Sequence, residues 1–132
     1  MASWSDLRWR LLQVLAEQLV DADADFLDFE FRDNGRAQRV FLTHHEGKSL
    51  GPWIRVESGF AGLASEAMLA GVHHVGQVDC LGIGLGRIDD HLTIRWTSFI
   101  EGLTLEHLLA MVAAVANHAD GLETDLSQHD SY

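Results

Sequence analysis

The sequence predicts an α+β fold: a two-layer sandwich whose antiparallel sheet carries helices mainly on one face. Five segments alternate apolar and polar residues as strands do, and apolar stripes at helical spacing occur at both ends of the chain. Because the strands come in runs and do not alternate singly with helices, an antiparallel sheet is favoured over parallel crossovers. The predicted element order is α-β-β-β-α-β-β-α.

The first helix is predicted to begin after Ser3, a capping residue followed three positions later by Asp6. We expect it to end near Val20 and to be followed by an acidic loop over Asp21 to Asp25. That loop lacks the glycine and the late glutamate of an EF-hand, so no calcium site is predicted. The helix presents one apolar stripe, formed by Leu7, Leu11, Val14, Leu15 and Leu19.

A first hairpin is predicted from Phe26 to Arg32 and from Gln38 to His44, around the strong turn signal Asn34-Gly35. A two-residue turn pairs Phe29 with Val40 and Leu27 with Leu42 on one face, and Glu30 with Arg39 on the other. A cross-strand charge pair is therefore expected between Glu30 and Arg39.

Further along the chain, a third strand is predicted from Trp53 to Ser58, a break from Gly59 to Gly62, and a short helix from Ala64 to Val72. A last helix follows, capped by Thr104 at its start and by Gly121 at its end. We assign residues 1–122 to a single domain and residues 123–132 to an acidic flexible tail.

A second hairpin is predicted from Val78 to Phe99, at the centre of the predicted fold. An Asp89-Asp90 turn places apolar residues on one face by pairing Leu85 with Ile94 and Ile83 with Trp96. On the other face it pairs Gly86 with Thr93, Gly84 with Arg95 and Gly82 with Thr97. Three alternate glycines weaken a strand, which predicts a surface where bare backbone is needed.

Charge and composition exclude several classes of function. The 132 residues include 20 acidic and nine basic residues, for a formal net charge of −11. Binding to nucleic acid or to an anionic membrane is disfavoured, since both depend on cationic side chains. No apolar run approaches the roughly 20 residues of a membrane span, the N-terminus does not look like a signal peptide, and Cys80 is the single cysteine. We therefore expect a cytoplasmic protein.

No pattern in the sequence predicts catalysis, a metal or a cofactor. The alternate glycines from Gly82 to Gly86 lead from strand to strand, whereas a nucleotide-binding loop leads from a strand into a helix. The eight histidines have no metal-ligand spacing. Asp89, Asp90 and His91 lie at a hairpin tip, where nothing encloses a substrate. We expect a protein that is not an enzyme.

The polar face of the sheet is the predicted binding surface. It is expected to gather Asp28, Glu30, Arg32, Arg39, Phe41, Trp53, Arg55, Glu57 and Arg95 beside the glycines. A solvated, salt-bridged surface is one interpretation. A protein-contact surface is the other, since Trp and Arg are enriched at interface hot spots. The candidate protein-binding residues are Trp53, Arg55, Cys80, Gly82, Gly84, Gly86 and Arg95.

The element order, together with the stretch PWIRVESGFAGL (Pro52 to Leu63), the following short helix and the final apolar helix with its acidic tail, resembles the type III secretion chaperone-like superfamily. The resemblance is to its YbjN-type, or Tir chaperone-like, branch and covers nearly the whole chain. It implies a small acidic cytoplasmic homodimer that binds a client or regulatory protein without ATP. It carries over no catalytic residues.

The sequence is therefore compatible with two functions. The first is a homodimeric protein-binding module, which the apolar stripes of three helices and the off-stripe Trp4 and Trp9 also favour. The second is a small-ligand-binding or catalytic α+β domain with its site between sheet and helices. A deep pocket with close ionisable groups of shifted pKa would favour the second.

Overall fold

A computed structural model describes residues 3–33, 35–77 and 82–130 of this chain, with side chains as far as residue 127. Three α-helices, one short 3₁₀ helix (Ala16–Gln18) and six strands are present in these ranges. In chain order the α-helices and strands are α1 (Trp4–Val14), β1 (Leu19–Ala22), β2 (Phe26–Asp33), β3 (Arg36–His45), β4 (Trp53–Gly62), α2 (Ser65–Gln77), β5 (Ile83–Ile88), β6 (His91–Phe99) and α3 (Leu105–Asp130).

The six strands form one antiparallel sheet in the order β1-β2-β3-β4-β6-β5, and the predicted fold class is confirmed. Helix α3 packs across β3, β4 and β6, while α2 packs on β5 and β6 and α1 packs against α3. The core lies between the helices and the face of the sheet that points toward them. Its fully buried side chains include Leu7, Leu11, Leu27, Phe29, Val40, Leu42, Ile54, Val56, Ile94, Leu108, Met111 and Val115.

The predicted registers of both hairpins are largely confirmed. In the first, Phe29 pairs with Val40, Leu27 with Leu42 and Glu30 with Arg39. In the second, Leu85 pairs with Ile94, Ile83 with Trp96, Gly86 with Thr93 and Gly84 with Arg95. Apolar alternation determines register because a one-residue slip would turn every core side chain toward water.

The predicted pairing of Gly82 with Thr97 is wrong, because β5 begins at Ile83. Gly82 precedes the strand with φ +99°, a conformation that favours glycine. A Cβ at this position would overlap the indole of Trp96. Gly82 is therefore needed for a turn and for close approach to Trp96 within the chain.

The start of the chain differs from the prediction. Helix α1 ends at Val14, not near Val20, and Leu19–Ala22 form an edge strand instead of helix and loop. Leu19 is compatible with either structure, and here its backbone pairs with Phe29 of β2, whose edge would otherwise be open. The remaining acidic loop is held against α1, since Trp4 Nε1 donates to the Ala24 carbonyl at 2.6 Å.

The predicted break at Gly59–Gly62 is also wrong. Strand β4 continues to Gly62, with a β-bulge between Gly59 and Ala61 that keeps it paired with β6. Glycine is common at bulges because its backbone tolerates the local kink. Helix α2 is longer than predicted and extends to Gln77. Residues 78–81, at the predicted start of the second hairpin, lie outside the described ranges.

The end of the chain is more regular than predicted. Thr104 caps α3 as expected and accepts a hydrogen bond from the His107 amide at 3.0 Å. Gly121, however, is not a C-cap: α3 continues through it to Asp130. Most of the predicted tail, residues 123–130, is therefore helical. The apolar stripe continues with Leu122, which is buried, and Leu126, which packs against the core, so burial offsets the helix-weakening effect of one glycine.

Candidate protein-binding surfaces

One face of the sheet, which we call the outer face, points away from the side on which the three helices pack. Strand register and alternation place on it Asp21, Phe26, Asp28, Glu30, Arg32, Arg39, Phe41, Thr43, His45, Trp53, Arg55, Glu57, Gly84, Gly86, Thr93, Arg95, Thr97 and Phe99. The predicted grouping of polar and aromatic residues on one face is thereby confirmed. The role of this face in binding stays a prediction.

The outer face differs in charge from the rest of the protein. The charged residues on it are the four basic residues Arg32, Arg39, Arg55 and Arg95 and the four acidic residues Asp21, Asp28, Glu30 and Glu57. It therefore carries no net charge in a chain whose total is −11. This is the side of the sheet on which a negatively charged group meets least repulsion.

Two of these arginines are already paired with carboxylates. Arg39 binds the buried Asp28 through two nitrogens, with Nε 2.9 Å from Oδ1. Arg32 binds Glu30 at 3.0 Å. Glu30 lies directly opposite Arg39, as predicted, but the close ion-pair contact of Arg39 is with Asp28 and that of Glu30 is with Arg32. The hydrogen bond to Asp28 raises the pKa of Arg39.

Arg55 and Arg95, which we call the arginine pair, form no ion pair with any carboxylate in the described part of the chain. Arg55 Nε donates to Thr97 Oγ1 at 3.2 Å. Arg55 pairs in register with Thr97, and Arg95 lies two residues before Thr97 on the same strand. Arg55 and Arg95 are thus diagonal neighbours on adjacent strands, and residues at such positions lie about 7–8 Å apart. Both side chains are half-buried.

An aromatic stack supports one end of the arginine pair. The guanidinium of Arg55 lies 4.9 Å from the centroid of the Trp53 ring, within the range of a cation–π contact. The His45 ring stacks on Trp53 at 4.0 Å. Phe99, directly across the strand pair from Trp53, is 51% exposed. Strand alternation thus places three aromatic rings and a cation in one cluster.

His45 is neutral at neutral pH. Burial lowers its pKa from the ordinary value of 6.5, and the positive charge of Arg55 lowers it further. Its Nε2 lies 3.0 Å from Thr43 Oγ1. The side chain is therefore an uncharged stacking partner for Trp53.

Arg95, the second member of the arginine pair, packs beside Gly86 and a buried hydrogen bond. Thr93 Oγ1 donates to Glu57 Oε2 at 2.7 Å, and both residues are buried. A Cβ at Gly86 would lie 2.6 Å from Cδ of Arg95, 2.8 Å from Thr93 Oγ1 and 2.9 Å from Glu57 Oε2. Because Gly86 has no side chain, the stem of Arg95 can pack directly against it.

The three glycines of this run differ in what surrounds them. Gly82 and Gly86 make room for Trp96 and Arg95 of the chain itself, whereas a Cβ at Gly84 would meet only the Arg95 carbonyl at 4.0 Å. Of the three predicted contact glycines, Gly84 is the one that leaves open backbone on the outer face. Cys80, the remaining candidate, lies outside the described residues.

A second surface, which the sequence reasoning missed, lies on α2. Its buried residues are Ala67 and Gly71. The opposite side of the helix exposes three apolar side chains, and the segment just before the helix exposes a fourth. Each is between 43% and 71% accessible, and together we call them the α2 patch: Leu63, Met68, Leu69 and Val72. Met68, Leu69 and Val72 recur at helical spacing in the sequence, a signal that could have identified this second stripe.

A histidine pair joins α2 to α3. His74 Nε2 lies 3.0 Å from His118 Nδ1, and the rings meet edge to face at 5.1 Å. Burial lowers the pKa of His74, and the charge of His118 lowers it further. The sequence offered no spacing that would bring histidines together. This pair forms because packing between α2 and α3 brings together residues 44 positions apart.

The prediction of a site between sheet and helices can be compared with the cavities. One cavity of about 510 Å³ lies near the Asp89-Asp90 turn, where Arg39, Asp89, His91 and Glu123 contribute charged or titratable groups to its lining. None of these four groups pairs with another of the four in the structure. The catalytic or ligand-binding alternative therefore stays a prediction without a defined reactive group.

Among the described residues, no three or more His, Cys, Asp or Glu side chains are grouped so that they could hold a metal ion. Within the same ranges, no helix combines the length and the apolar character needed to cross a membrane.

Comparison with known proteins gives no family assignment: no protein-family model matches the sequence, and no curated protein matches it significantly.

Proposed function

We propose that this protein is a non-enzymatic, cytoplasmic protein-binding module that acts as a homodimer and binds a client or regulatory protein, as the resemblance to secretion chaperones implies. The proposal assigns different surfaces to the two kinds of contact. A second copy of the chain occupies the α2 patch, and the client occupies the outer face.

The observation that carries the proposal is the α2 patch. Monomeric proteins rarely expose a contiguous cluster of large apolar side chains, because water contact with such a cluster is costly. Here four such side chains lie together on one helix face and its approach. An interface buries about 800 Å² on each partner, and the chain exposes 8106 Å² in all. A dimer that forms through α2 would therefore bury only a small part of the accessible surface of each chain.

The low charge of α2 favours a second copy as the occupant. Two molecules of net charge −11 repel each other, so a self-interface requires a region with few carboxylates. Helix α2 contains one, Glu66, and no lysine or arginine. A twofold contact also brings the same patch from each copy together, and a purely apolar stripe complements itself without requiring opposite charges.

The test is the mass of the protein in solution. We expect light scattering at roughly tens of micromolar protein to give twice the mass of one chain, because interfaces of this kind commonly reach micromolar affinity. Leu69→Glu should give a monomer, since it places a carboxylate at the centre of both patches. Leu50→Glu is the matched control, because Leu50 is 75% exposed but lies in the loop between β3 and β4.

Two results would contradict the homodimer proposal. One is a wild-type mass equal to a single chain throughout that concentration range. The other is a dimer that survives Leu69→Glu unchanged, which would place the interface elsewhere.

A further inference from the structure

The outer face contains two unpaired arginines in a protein dominated by acidic residues. The guanidinium of Arg55 contacts Thr97 and Trp53. The stem of Arg95 packs over Gly86, which has no side chain there. Four of the remaining basic side chains are ion-paired with carboxylates: Arg10 with Asp6, Arg32 with Glu30, Arg36 with Asp120 and Arg39 with Asp28. Two half-buried guanidinium groups without a carboxylate partner among the described residues are available to an external anion.

We propose that the arginine pair binds an acidic, extended segment of a protein partner, with carboxylates at alternate positions and an apolar side chain beside them. This inference rests on the proposed function and names the chemistry of the client at the outer face. Trp53 and Phe99 accept the apolar side chain, and Arg55 and Arg95 each accept one carboxylate.

The spacing supports an extended segment. Diagonal neighbours on adjacent strands lie about 7–8 Å apart, and alternate side chains of an extended chain project about 6.4–6.8 Å apart on one side. Carboxylates at positions i and i+2 of a strand-like peptide can therefore reach both guanidinium groups. The bare backbone at Gly84, opposite Arg95, leaves room for that chain to lie close to the sheet.

Charge complementarity favours a short acidic segment over a polyanion. A nucleic acid carries negative charge along its whole length and would extend from the outer face onto the acidic remainder of the protein. A segment with two or three carboxylates requires only the local positive charge. At physiological salt the repulsion from distant carboxylates is screened over about 8 Å. Arginine and tryptophan are also the side chains that most often dominate protein interfaces.

The proposal can be tested with a fluorescent synthetic peptide in which glutamate alternates with threonine next to one leucine. The matched peptide has lysine at each glutamate position. We expect the wild-type protein to bind the glutamate peptide and not the lysine peptide, in fluorescence anisotropy at low salt. Raising the salt should weaken the binding, because ions in the solvent screen charge–charge contacts at a surface that is not fully buried.

The variant Arg55→Gln/Arg95→Gln should bind the glutamate peptide at least about tenfold more weakly, as the loss of two charged hot-spot contacts implies. The control is Arg10→Gln/Arg87→Gln, which removes the same charge from exposed positions off the outer face. Gly84→Val should also weaken binding, since its side chain would stand where the peptide backbone approaches. Circular dichroism and thermal melting of each variant exclude a loss of fold as the cause.

Three results would overturn the proposal: equal binding of the two peptides, unchanged binding by the Arg55→Gln/Arg95→Gln protein, or binding of inorganic phosphate or heparin in place of the glutamate peptide. Repeating the titration on the Leu69→Glu protein separates the two proposals. Peptide binding by a monomer supports the arginine pair even if the dimer proposal fails, and a dimer without peptide binding overturns only the arginine pair.

Discussion

His74 of α2 and His118 of α3 share a hydrogen bond, with Nε2 and Nδ1 3.0 Å apart. Only one of the two nitrogens can carry the shared proton, so at least one ring must supply a neutral acceptor nitrogen. A proton on both rings would break the bond and place two positive charges in contact. The packing of α2 on α3 is therefore sensitive to pH in the range where histidine titrates.

The first prediction is that stability falls on acidification through the range of histidine. The pKa of His74 is lowered by burial, then by His118 and His73, while Asp125 opposes the shift. A lowered pKa means that the folded protein binds fewer protons than the unfolded chain between the two pKa values. The stabilisation is thus complete above the ordinary pKa of about 6.5 and is lost as the pH falls toward the lowered value.

Urea unfolding between about pH 7.5 and pH 5 measures this effect. His74→Asn should give a flatter dependence of the free energy of unfolding on pH. His91→Asn, which changes an exposed histidine that is not among the charges acting on His74, should leave the slope close to that of the wild type. His45, whose pKa is also lowered, accounts for part of the slope that remains. A wild-type stability independent of pH in this range would contradict the prediction.

The second prediction distinguishes two glycines on the same strand and the same face. Gly86→Ala should destabilise the protein by roughly 1–3 kcal/mol, because its Cβ overlaps the Arg95 stem and the buried Thr93–Glu57 hydrogen bond. Gly84→Ala should be neutral or stabilise by about 0.4–1 kcal/mol, since its Cβ has room and the unfolded chain loses freedom. Urea denaturation of the pair gives both values. Equal effects of the two substitutions would contradict the assignment of a packing role to Gly86 alone.

The third prediction concerns the two outer-face ion pairs. Arg39→Met should cost about 1–3 kcal/mol, because it leaves the buried Asp28 carboxylate without its donor. Arg32→Met should cost no more than about 1 kcal/mol, since that arginine is 78% exposed and its ion pair is solvated. The measurement is the free energy of unfolding of each variant at neutral pH. A cost for Arg32→Met equal to that for Arg39→Met would contradict the assignment of the buried pair.

The sequence by itself determined the antiparallel sheet, its two hairpin registers and the residues that share the outer face. These features depend on local alternation and on turn residues. A one-residue slip in strand register would have turned buried side chains such as Phe29 and Ile94 toward water. The prediction of Thr104 as a cap was correct for the same reason, since capping involves only the next turn of the chain.

Local patterns were insufficient where an element depends on a distant one. Leu19 fits a helical stripe and a strand equally well, and pairing with β2 decided in favour of the strand. Gly121 resembles a helix end, and burial of Leu122 and packing of Leu126 against the core carry the helix past it.

In the candidate site, too, the local sequence pattern determined some features and tertiary packing determined the others. Alternation put Trp53, Arg55 and Arg95 on one face, but it could not tell which arginines find carboxylates or which glycines make room for neighbouring side chains. Only the tertiary structure paired Arg39 with Asp28, filled the space above Gly86 and exposed the second stripe of α2. Side-chain pairing and exposure depend on what packs from elsewhere in the chain, and alternation within one strand or helix carries no information about that.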